Sequence, residues 1–231
     1  VAVTGVQTCA LPICSGLRAP GLGLMQSRPF RAPHHSVSRA GLVGGGNPPR
    51  PGELSLAHRG VLFLDELSEY PRSLLDALRE PLENGEVAIA RAGSHARFPA
   101  RPLIVAAMNP CPCGRFGSRG GGCRCPHFSI RDYLAKLSQP ILDRIDLHVE
   151  LESVEVEDLV AAQPPKTDSH ERLRDSVHVA RARQLNRYHM LNNEVSDGVI
   201  RECTTITDGA RELLTSAIKS LGMSARGYVR V

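Results

Sequence analysis

The chain contains 231 residues, of which 42% are hydrophobic and 23% are charged, and its formal net charge is +4. This composition is typical of a globular protein and excludes disorder throughout the chain. It also excludes a membrane-spanning helix, because no window approaches the ~18 consecutive apolar residues that such a helix requires.

The two ends of the chain indicate a fragment. The first residue is valine, and residues 1–16 carry no charged side chain. These residues resemble translated adapter sequence, so we expect them to be foreign to the fold and leave them unassigned. They also lack the basic start and the long apolar run of a secretory signal, and we therefore expect a cytoplasmic protein.

The first half of the chain predicts strands that alternate with helices. Residues 28–52 are rich in glycine and proline, which predicts loops. The apolar run at 61–64 predicts a buried strand, and a helix is expected over 71–84. A hairpin is expected over 86–98, followed by a second buried strand over 103–107.

The second half completes this pattern and then changes to helices. A helix is expected to begin at Ser129, and the apolar stretch 145–151 predicts a third strand. Strands that alternate with helices predict an α/β domain with a parallel sheet, here over residues 17–152. Residues 153–168 are predicted as a linker, and the helical periodicity over 169–231 predicts a small all-α domain.

Two adjacent carboxylates follow the first buried strand. Asp65 and Glu66 are expected at its carboxyl end, which is the edge where open α/β sheets bind ligands. One carboxylate there can hold Mg²⁺ through its water shell, and the second can orient or deprotonate the water that attacks a γ-phosphate. This is the Walker B pattern of P-loop ATPases, although a strand that ends in solvated acids gives the same sequence.

Three further polar residues are candidates for the same chemistry. Asn109 follows the second buried strand and can bind the attacking water or the γ-phosphate; the alternative is a turn residue before Pro110. Arg144 can act as an arginine finger on a neighbouring subunit, or it can pair with a nearby aspartate. Arg226 can reach a nucleotide from the helical domain, or it is one more exposed arginine.

A phosphate-binding loop does not occur in this sequence. No Gly-x-x-x-x-Gly-Lys-Ser/Thr motif is present, and none of the three lysines follows a glycine-rich loop. Such a loop supplies the backbone N–H groups and the lysine that hold the β- and γ-phosphates. We therefore expect this chain to bind ATP poorly, either because the loop lay upstream or because the protein is not an ATPase.

Four of the seven cysteines lie within 15 residues. Two close pairs across a glycine-rich loop can wrap a tetrahedral Zn²⁺, so we predict a structural zinc site. The Cys-x-Cys spacing is tighter than usual for zinc, and the alternative is four free thiols in a reducing compartment. The predicted ligands are Cys111, Cys113, Cys123 and Cys125.

Basic residues flank the expected hairpin. Arg91, Arg97 and Arg101 can contact the phosphates of DNA, which would give sequence-independent, salt-sensitive binding; the alternative is a solvated hairpin face. The adjacent His34 and His35 can in principle ligate a metal, but neighbouring side chains point in different directions in most conformations. We therefore interpret them as solvated or as capping the backbone.

Several long motifs occur together in one order. They are RPFRAPHHS, VGGGNPPRPGELSLAHRGVLFLDEL, LDALREPLENGEV, AAMNPCPCG, LDRIDL and MSARGYVR. Together they closely resemble the magnesium-chelatase-like AAA+ ATPases of the ComM/YifB type, over about residues 25–231.

The resemblance implies roles for the residues named above. Asp65 and Glu66 would be the Walker B pair, Asn109 sensor 1, Arg144 the arginine finger and Arg226 sensor 2. It also implies ATP and Mg²⁺ as cofactors of the full protein, and a ring of identical subunits, expected to be a hexamer. The insertions at 41–52 and 86–102 would face the central pore of that ring.

The better-understood members of the family resemble DNA helicases that drive branch migration in natural transformation. Two other functions stay open: a chelatase-type ATPase that remodels a protein partner, and a non-catalytic nucleic-acid-binding module stabilised by zinc. Family members also carry a Lon-like N-terminal domain and a P-loop that this sequence lacks. We therefore expect this chain to be inactive alone.

Overall fold

The computed structural model describes residues 27–91, 94–117, 122–151, 167–203 and 205–221. The backbone forms two compact units, which divide after Leu151. The first unit contains a parallel sheet with helices, and the described part of the second is helical. The predicted fold class, α/β followed by helices, is confirmed.

The first unit alternates short strands with short helices. Its strands are β1 (Phe30–Arg31), β2 (Gly44–Gly45), β3 (Arg50–Pro51), β4 (Val61–Leu64), β5 (Glu86–Arg91), β6 (Ser94–Pro99) and β7 (Leu103–Ala106). Its helices are α1 (Arg39–Leu42), α2 (Glu53–Leu56), α3 (Arg72–Asp76), α4 (Arg79–Asn84), α5 (His127–Leu134) and α6 (Gln139–Leu142), with a 3-10 turn at Leu67–Glu69.

Strand β4 lies at the centre of a three-stranded parallel sheet, between β1 and β7. Val61 is opposite both Phe30 and Leu103, and Leu64 is opposite Ala106. Because the strands are parallel, the residues that follow β4 and β7 emerge at the same edge of the sheet. The predicted strands at 61–64 and 103–107 are thereby confirmed to within one residue.

Apolar side chains from the sheet and its helices form one core. Burying a leucine side chain stabilises a fold by about 1.5–3 kcal/mol, so these residues fix the position of β4 and of the segment that follows it. The large core members with little or no exposure include Leu42, Leu54, Leu62, Leu64, Tyr70, Leu75 and Val87.

The helix predicted over 71–84 is broken in the structure. Helix α3 ends at Asp76 and α4 begins at Arg79. The cause is Pro81, which has no N–H to donate four residues back and whose ring crowds the carbonyl of Ala77. Helix α4 then ends as predicted, at Gly85 with φ of +72°, a conformation that glycine adopts without strain.

The stretch 28–52, predicted as loops, contains β1, α1 and the antiparallel pair β2–β3. Elements of two to four residues are too short to produce a periodic pattern. Helix α5 begins at His127 after Pro126, two residues earlier than the predicted start at Ser129.

The third strand predicted over 145–151 does not form. Leu147 is 83% exposed and Val149 is 77% exposed. A strand exists only where a neighbour accepts and donates its ladder hydrogen bonds, and no described strand pairs with this segment. Alternating apolar residues were therefore insufficient to predict a strand here.

The second unit contains α7 (Thr167–Tyr188), a 3-10 turn (Asn192–Glu194), α8 (Asp197–Cys203) and α9 (Asp208–Leu221). Within the described ranges, no helix has both the length and the apolar character needed to cross a bilayer. The unassigned segment 1–16 and most of the predicted linker fall outside the described residues.

Candidate functional site

Asp65, Glu66 and Asn109 lie at the carboxyl edge of the sheet, and we call these three residues the acidic edge. Asp65 and Glu66 directly follow β4 and are exposed. The amide of Ala107 donates to the carbonyl of Leu64 (3.0 Å), and the amide of Leu67 donates to the carbonyl of Ala107 (2.9 Å). Asn109, also exposed, follows two residues later. The structure therefore brings the two predicted carboxylates and the predicted amide to the same edge.

Glu66 has an unusual backbone conformation. Its φ and ψ are both 49°, in the left-handed region that few residues other than glycine adopt. The Glu66 amide donates to Oδ1 of Asp65 (2.9 Å), and the Glu66 carbonyl accepts from the amide of Glu69 (2.7 Å). Strained turns of this kind cluster at functional sites, where the surrounding structure maintains them.

The donor set of this edge fits a hard cation. Carboxylate oxygens are the ligands that Mg²⁺ prefers, and Mg²⁺ keeps several of its waters when it binds one or two of them. Exposed carboxylates meet that requirement, because water can complete the coordination shell.

Arg144 is held within its own chain. Its side chain is 12% exposed and pairs with Glu83, with Nη2 at 2.5 Å from Oε2. It also donates to the carbonyls of Pro140 (2.6 Å) and Arg79 (3.2 Å). The partner is thus a glutamate of α4 rather than the predicted neighbouring aspartate. A role on a second subunit stays a prediction, and it would require these contacts to be exchanged.

Arg226, the predicted sensor 2 residue, lies outside the described residues. Its proposed role therefore rests on the sequence motif alone.

The four clustered cysteines converge on one point. Their Sγ atoms all lie within 4.8 Å of one another. The Sγ of Cys111 is 3.4 Å from that of Cys113 and 3.8 Å from that of Cys123, and the last two are 3.7 Å apart. Sulfurs bound at about 2.3 Å to a tetrahedral Zn²⁺ lie about 3.8 Å apart. These residues, with Cys125, therefore fit a tetrahedral metal ion.

The surroundings of the cluster favour the thiolate form of Cys113. The pKa of Cys113 is lowered to about 6. The largest cause is a hydrogen bond with the backbone of Arg115, and hydrogen bonds with the thiols of Cys111 and Cys125 add to it. The hydrogen bond with Cys113 raises the pKa of Cys125 to about 12. Since the thiolate is the metal-binding form, the lowered pKa of Cys113 favours its role as a metal ligand.

The predicted hairpin is confirmed as β5 paired antiparallel with β6. Val87 and Ile89 are buried in the core, while Arg97 lies opposite Ala88 on the outer face. Arg97 pairs with Glu86 at 2.8 Å. By alternation along β5, Arg91 shares the face of Val87 and Ile89 at the end of the hairpin. The predicted basic residues therefore do not form a single face.

Arg101, the third predicted basic residue, lies beyond the hairpin. Its amide donates to Nδ1 of His58 (3.1 Å), and its side chain covers Gly85 so closely that a Cβ there would be 2.4 Å from Nε. This residue therefore supports the base of the hairpin.

His35 is a further residue at the acidic edge that the sequence did not predict. Its Nδ1 lies 3.2 Å from Oε2 of Glu66, and its side chain is about one third exposed. The interpretation of both histidines as solvated or capping is thus incomplete. No local pattern signals this contact, because it depends on the pairing of β1 with β4.

Models of known protein families match nearly the whole chain. Residues 13–159 match the model described as magnesium chelatase, subunit ChlI, and residues 167–231 match its C-terminal counterpart. The chain belongs to the magnesium chelatase family.

Curated relatives place it more narrowly within this family. The chain is 43% identical over 206 residues to the competence protein ComM of Haemophilus influenzae, and 40% identical over 206 residues to YifB of Escherichia coli. Each alignment covers 89% of this chain and 40% of the relative. The chain therefore spans about 40% of the length of these relatives, and the predicted resemblance to the ComM/YifB type is confirmed.

A shorter similarity connects the chain to a replication protein. Over 59 residues it is 44% identical to the zygotic DNA replication licensing factor mcm3 of Xenopus laevis. This alignment covers 26% of the chain and 7% of that protein.

Proposed function

We propose that this chain is part of a AAA+ ATPase that couples ATP hydrolysis to work on DNA. The observation that carries the proposal is the acidic edge, where two exposed carboxylates and an amide from neighbouring parallel strands meet at the ligand-binding end of the sheet. The full-length protein that carries this chain is the proposed enzyme.

In the proposed reaction, each residue of the acidic edge has a different role. Asp65 would hold Mg²⁺, which neutralises the charge of the phosphates when bound. Glu66 accepts the proton of the attacking water as the bond from that water to the γ-phosphorus forms and the bond to ADP breaks. Asn109 donates from its amide to the γ-phosphate or orients the water.

DNA is the proposed substrate of the motor. Two relatives carry names that refer to competence and to DNA replication licensing. In this chain, the β2–β3 and β5–β6 hairpins pack together, with Cδ1 of Ile89 against Gly44. Arg50 and Arg91 are exposed on this pair of hairpins. We assign the DNA contact to these hairpins, which would face the pore of a ring.

The ring itself is the second part of the proposal. AAA+ proteins commonly form rings with ATP between subunits, and we propose a hexamer in which Arg144 serves the adjacent nucleotide and Arg226 acts as sensor 2. Light scattering of the full-length protein with ATP tests the assembly: the mass of six subunits is expected, and a monomer under all nucleotide conditions would contradict it.

We further propose structural Zn²⁺ at the four clustered cysteines and a cytoplasmic location. The convergence of the four sulfurs supports the metal. Zinc binding requires these four cysteines to be reduced, and a reducing compartment maintains that state, which supports the location.

The proposal is tested by measuring ATP turnover of the full-length protein with Mg²⁺, alone and with single-stranded, duplex or branched DNA. We expect turnover to rise with DNA and to be lost in Asp65→Asn. Glu69→Gln is the matched control, since Glu69 is an exposed acid four residues away that pairs with Lys136. Turnover that depends on a protein partner and ignores DNA would instead favour the remodelling function.

A further inference from the structure

A long basic stretch of the chain extends beyond the β5–β6 hairpin. Residues 87–131 contain seven arginines and no acidic residue, although the whole chain contains 24 acidic residues. The stretch includes β6, β7 and the segment 110–126 that carries the four clustered cysteines, which we call the cysteine loop. A surface formed by such a stretch attracts a polyanion, and the hairpin contains only part of the positive charge.

The cysteine cluster brings two of these arginines together. The backbones of Arg115 and Arg124 both form hydrogen bonds with the sulfur of Cys113. The side chain of Arg115 also lies alongside Gly122, where a Cβ would be 3.8 Å from its Cδ and Nη1. Both arginines are exposed, and no ion pair within the described residues involves Arg124. Two exposed arginines therefore extend from one small region of the loop.

Two phenylalanines lie beside the same cluster. Each comes three residues after a clustered cysteine, Phe116 after Cys113 and Phe128 after Cys125. The sulfurs of these two cysteines lie within 4.8 Å of each other, and three residues span at most ~11 Å, so both rings are close to the cluster. Phe116 is 45% exposed and Phe128 is 64% exposed. The loop and the start of α5 therefore present aromatic rings together with positive charge.

Single-stranded DNA fits this combination of groups. Arginines bind the phosphates of a single strand, and its unpaired bases stack on exposed aromatic rings. The bases of a duplex are already stacked on one another and offer no free face to a phenylalanine ring. An apolar surface of a second subunit could cover the rings, but it would leave the arginines without counter-charges.

We propose that the cysteine loop and the start of α5 form a contact surface for single-stranded DNA, in which two phenylalanines stack on bases and two arginines bind phosphates. These residues are Phe116, Phe128, Arg115 and Arg124. The inference rests on the proposed function for its partner, DNA, and adds a second contact to the one assigned to the hairpins. A metal ion on the four sulfurs would keep the loop in shape for this contact.

The test measures the affinity of the full-length protein for a labelled oligo-dT strand and for a duplex, by fluorescence anisotropy. Phe116→Ala should weaken binding to the single strand by roughly 5- to 150-fold, the contribution of one stacked base, and leave binding to the duplex unchanged. Phe116→Tyr keeps the ring and should bind like the wild type. Phe116→Leu keeps an apolar side chain without the ring and should behave like Phe116→Ala.

Arg124→Gln tests the phosphate contact. It should reduce the slope of log K against log salt concentration for the single strand by about 0.7, the value for one phosphate. Arg211→Gln is the matched control, because it removes the same charge from an exposed position on α9, and it should leave the slope unchanged. An unchanged slope in Arg124→Gln would contradict the phosphate contact.

The zinc content of each variant separates a lost contact from a disordered loop. If Phe116→Ala releases the metal, Phe116→Leu decides the question. Release of the metal from both variants would mean that the ring packs within the loop, which contradicts the proposal. Equal weakening for single strand and duplex, or a loss of subunit assembly in place of DNA binding, would also overturn it.

The outcomes also separate this surface from the proposed function. If the wild-type protein binds DNA and Phe116→Ala binds the single strand with unchanged affinity, this surface alone is excluded. If the wild-type protein binds neither the single strand nor the duplex, the proposed work on DNA fails, and this surface fails with it.

Discussion

The acidic edge and the cysteine loop (residues 110–126) are neighbours, because Asn109 of the edge directly precedes the loop, yet they are held by different forces. The edge is fixed by backbone hydrogen bonds between parallel strands above a core of buried leucines. The described part of the loop, 110–117 and 122–126, contains no helix or strand, and Cys111 is its buried residue.

The difference shows which region depends on a ligand. The edge keeps its shape without one, because the register of β4 and β7 positions its residues. The loop has little apolar surface to bury, so a metal ion on its four sulfurs would provide the order that a core provides elsewhere. Changes to the loop should therefore alter metal content and local order, while changes to the edge should alter turnover.

The largest expected effect is the loss of the metal. The purified protein should contain one Zn²⁺ per chain, and Cys113→Ser should lose it, because structural zinc sites contribute about 10–16 kcal/mol of binding free energy through a complete ligand set. Atomic absorption measures the content, and Cys203→Ser, which lies at the end of α8, is the control. Wild-type protein without stoichiometric metal would leave four ordinary thiols.

The second largest expected effect is a loss of stability from a mutation in the core beneath the acidic edge. Leu62→Ala should lower the free energy of unfolding by about 2–5 kcal/mol, since it leaves a cavity under β4. Leu147→Ala removes an exposed side chain and should change the free energy of unfolding by less than about 0.5 kcal/mol. Urea denaturation compares the two, and equal losses would mean that residues 145–151 are covered in the full protein.

Variants of Arg144 and Glu83 distinguish a structural role of Arg144 from a catalytic one. Arg144→Ala removes hydrogen bonds from a charged donor and should lower the free energy of unfolding by about 1.5–3 kcal/mol. Glu83→Ala removes the same ion pair but keeps the arginine. If Arg144 acts as a finger, only Arg144→Ala abolishes ATP turnover; equal turnover in the two variants would reduce Arg144 to a structural role.

The smallest expected effect is at the hairpin. Arg97→Ala should weaken DNA binding similarly for all sequences and reduce the salt dependence by about one counterion, if Arg97 contacts a phosphate. Fluorescence anisotropy across a salt series measures this. Because Arg97 also pairs with Glu86, Glu86→Gln is the informative control and should leave DNA binding equal or slightly tighter. A salt slope unchanged by Arg97→Ala would locate the DNA path elsewhere.

The sequence predicted the elements that leave a clear local signal. Strand β4 is a continuous run of apolar residues, and each strand of the hairpin β5–β6 is six residues long. The acidic edge followed from them, since strand ends in a parallel sheet share one edge. The convergence of the four cysteines was also foreseen from their clustering.

Other features depend on contacts between distant residues, which a local pattern does not encode. Strand β1 has two residues and forms only because Val61 and Leu62 pair with it. The contact of His35 with Glu66 follows from that pairing. Arg144 reaches Glu83 across 61 residues, and the segment 145–151 fails to become a strand because no described neighbour pairs with it.

The most direct test of the account is ATP binding and turnover by Glu66→Gln in the full-length protein. ATP should bind to this variant with wild-type affinity while kcat falls by about 10²- to 10⁴-fold, the contribution of a general base. Unchanged turnover with intact binding would remove Glu66 from the reaction and contradict the assignment of the acidic edge as the site of hydrolysis.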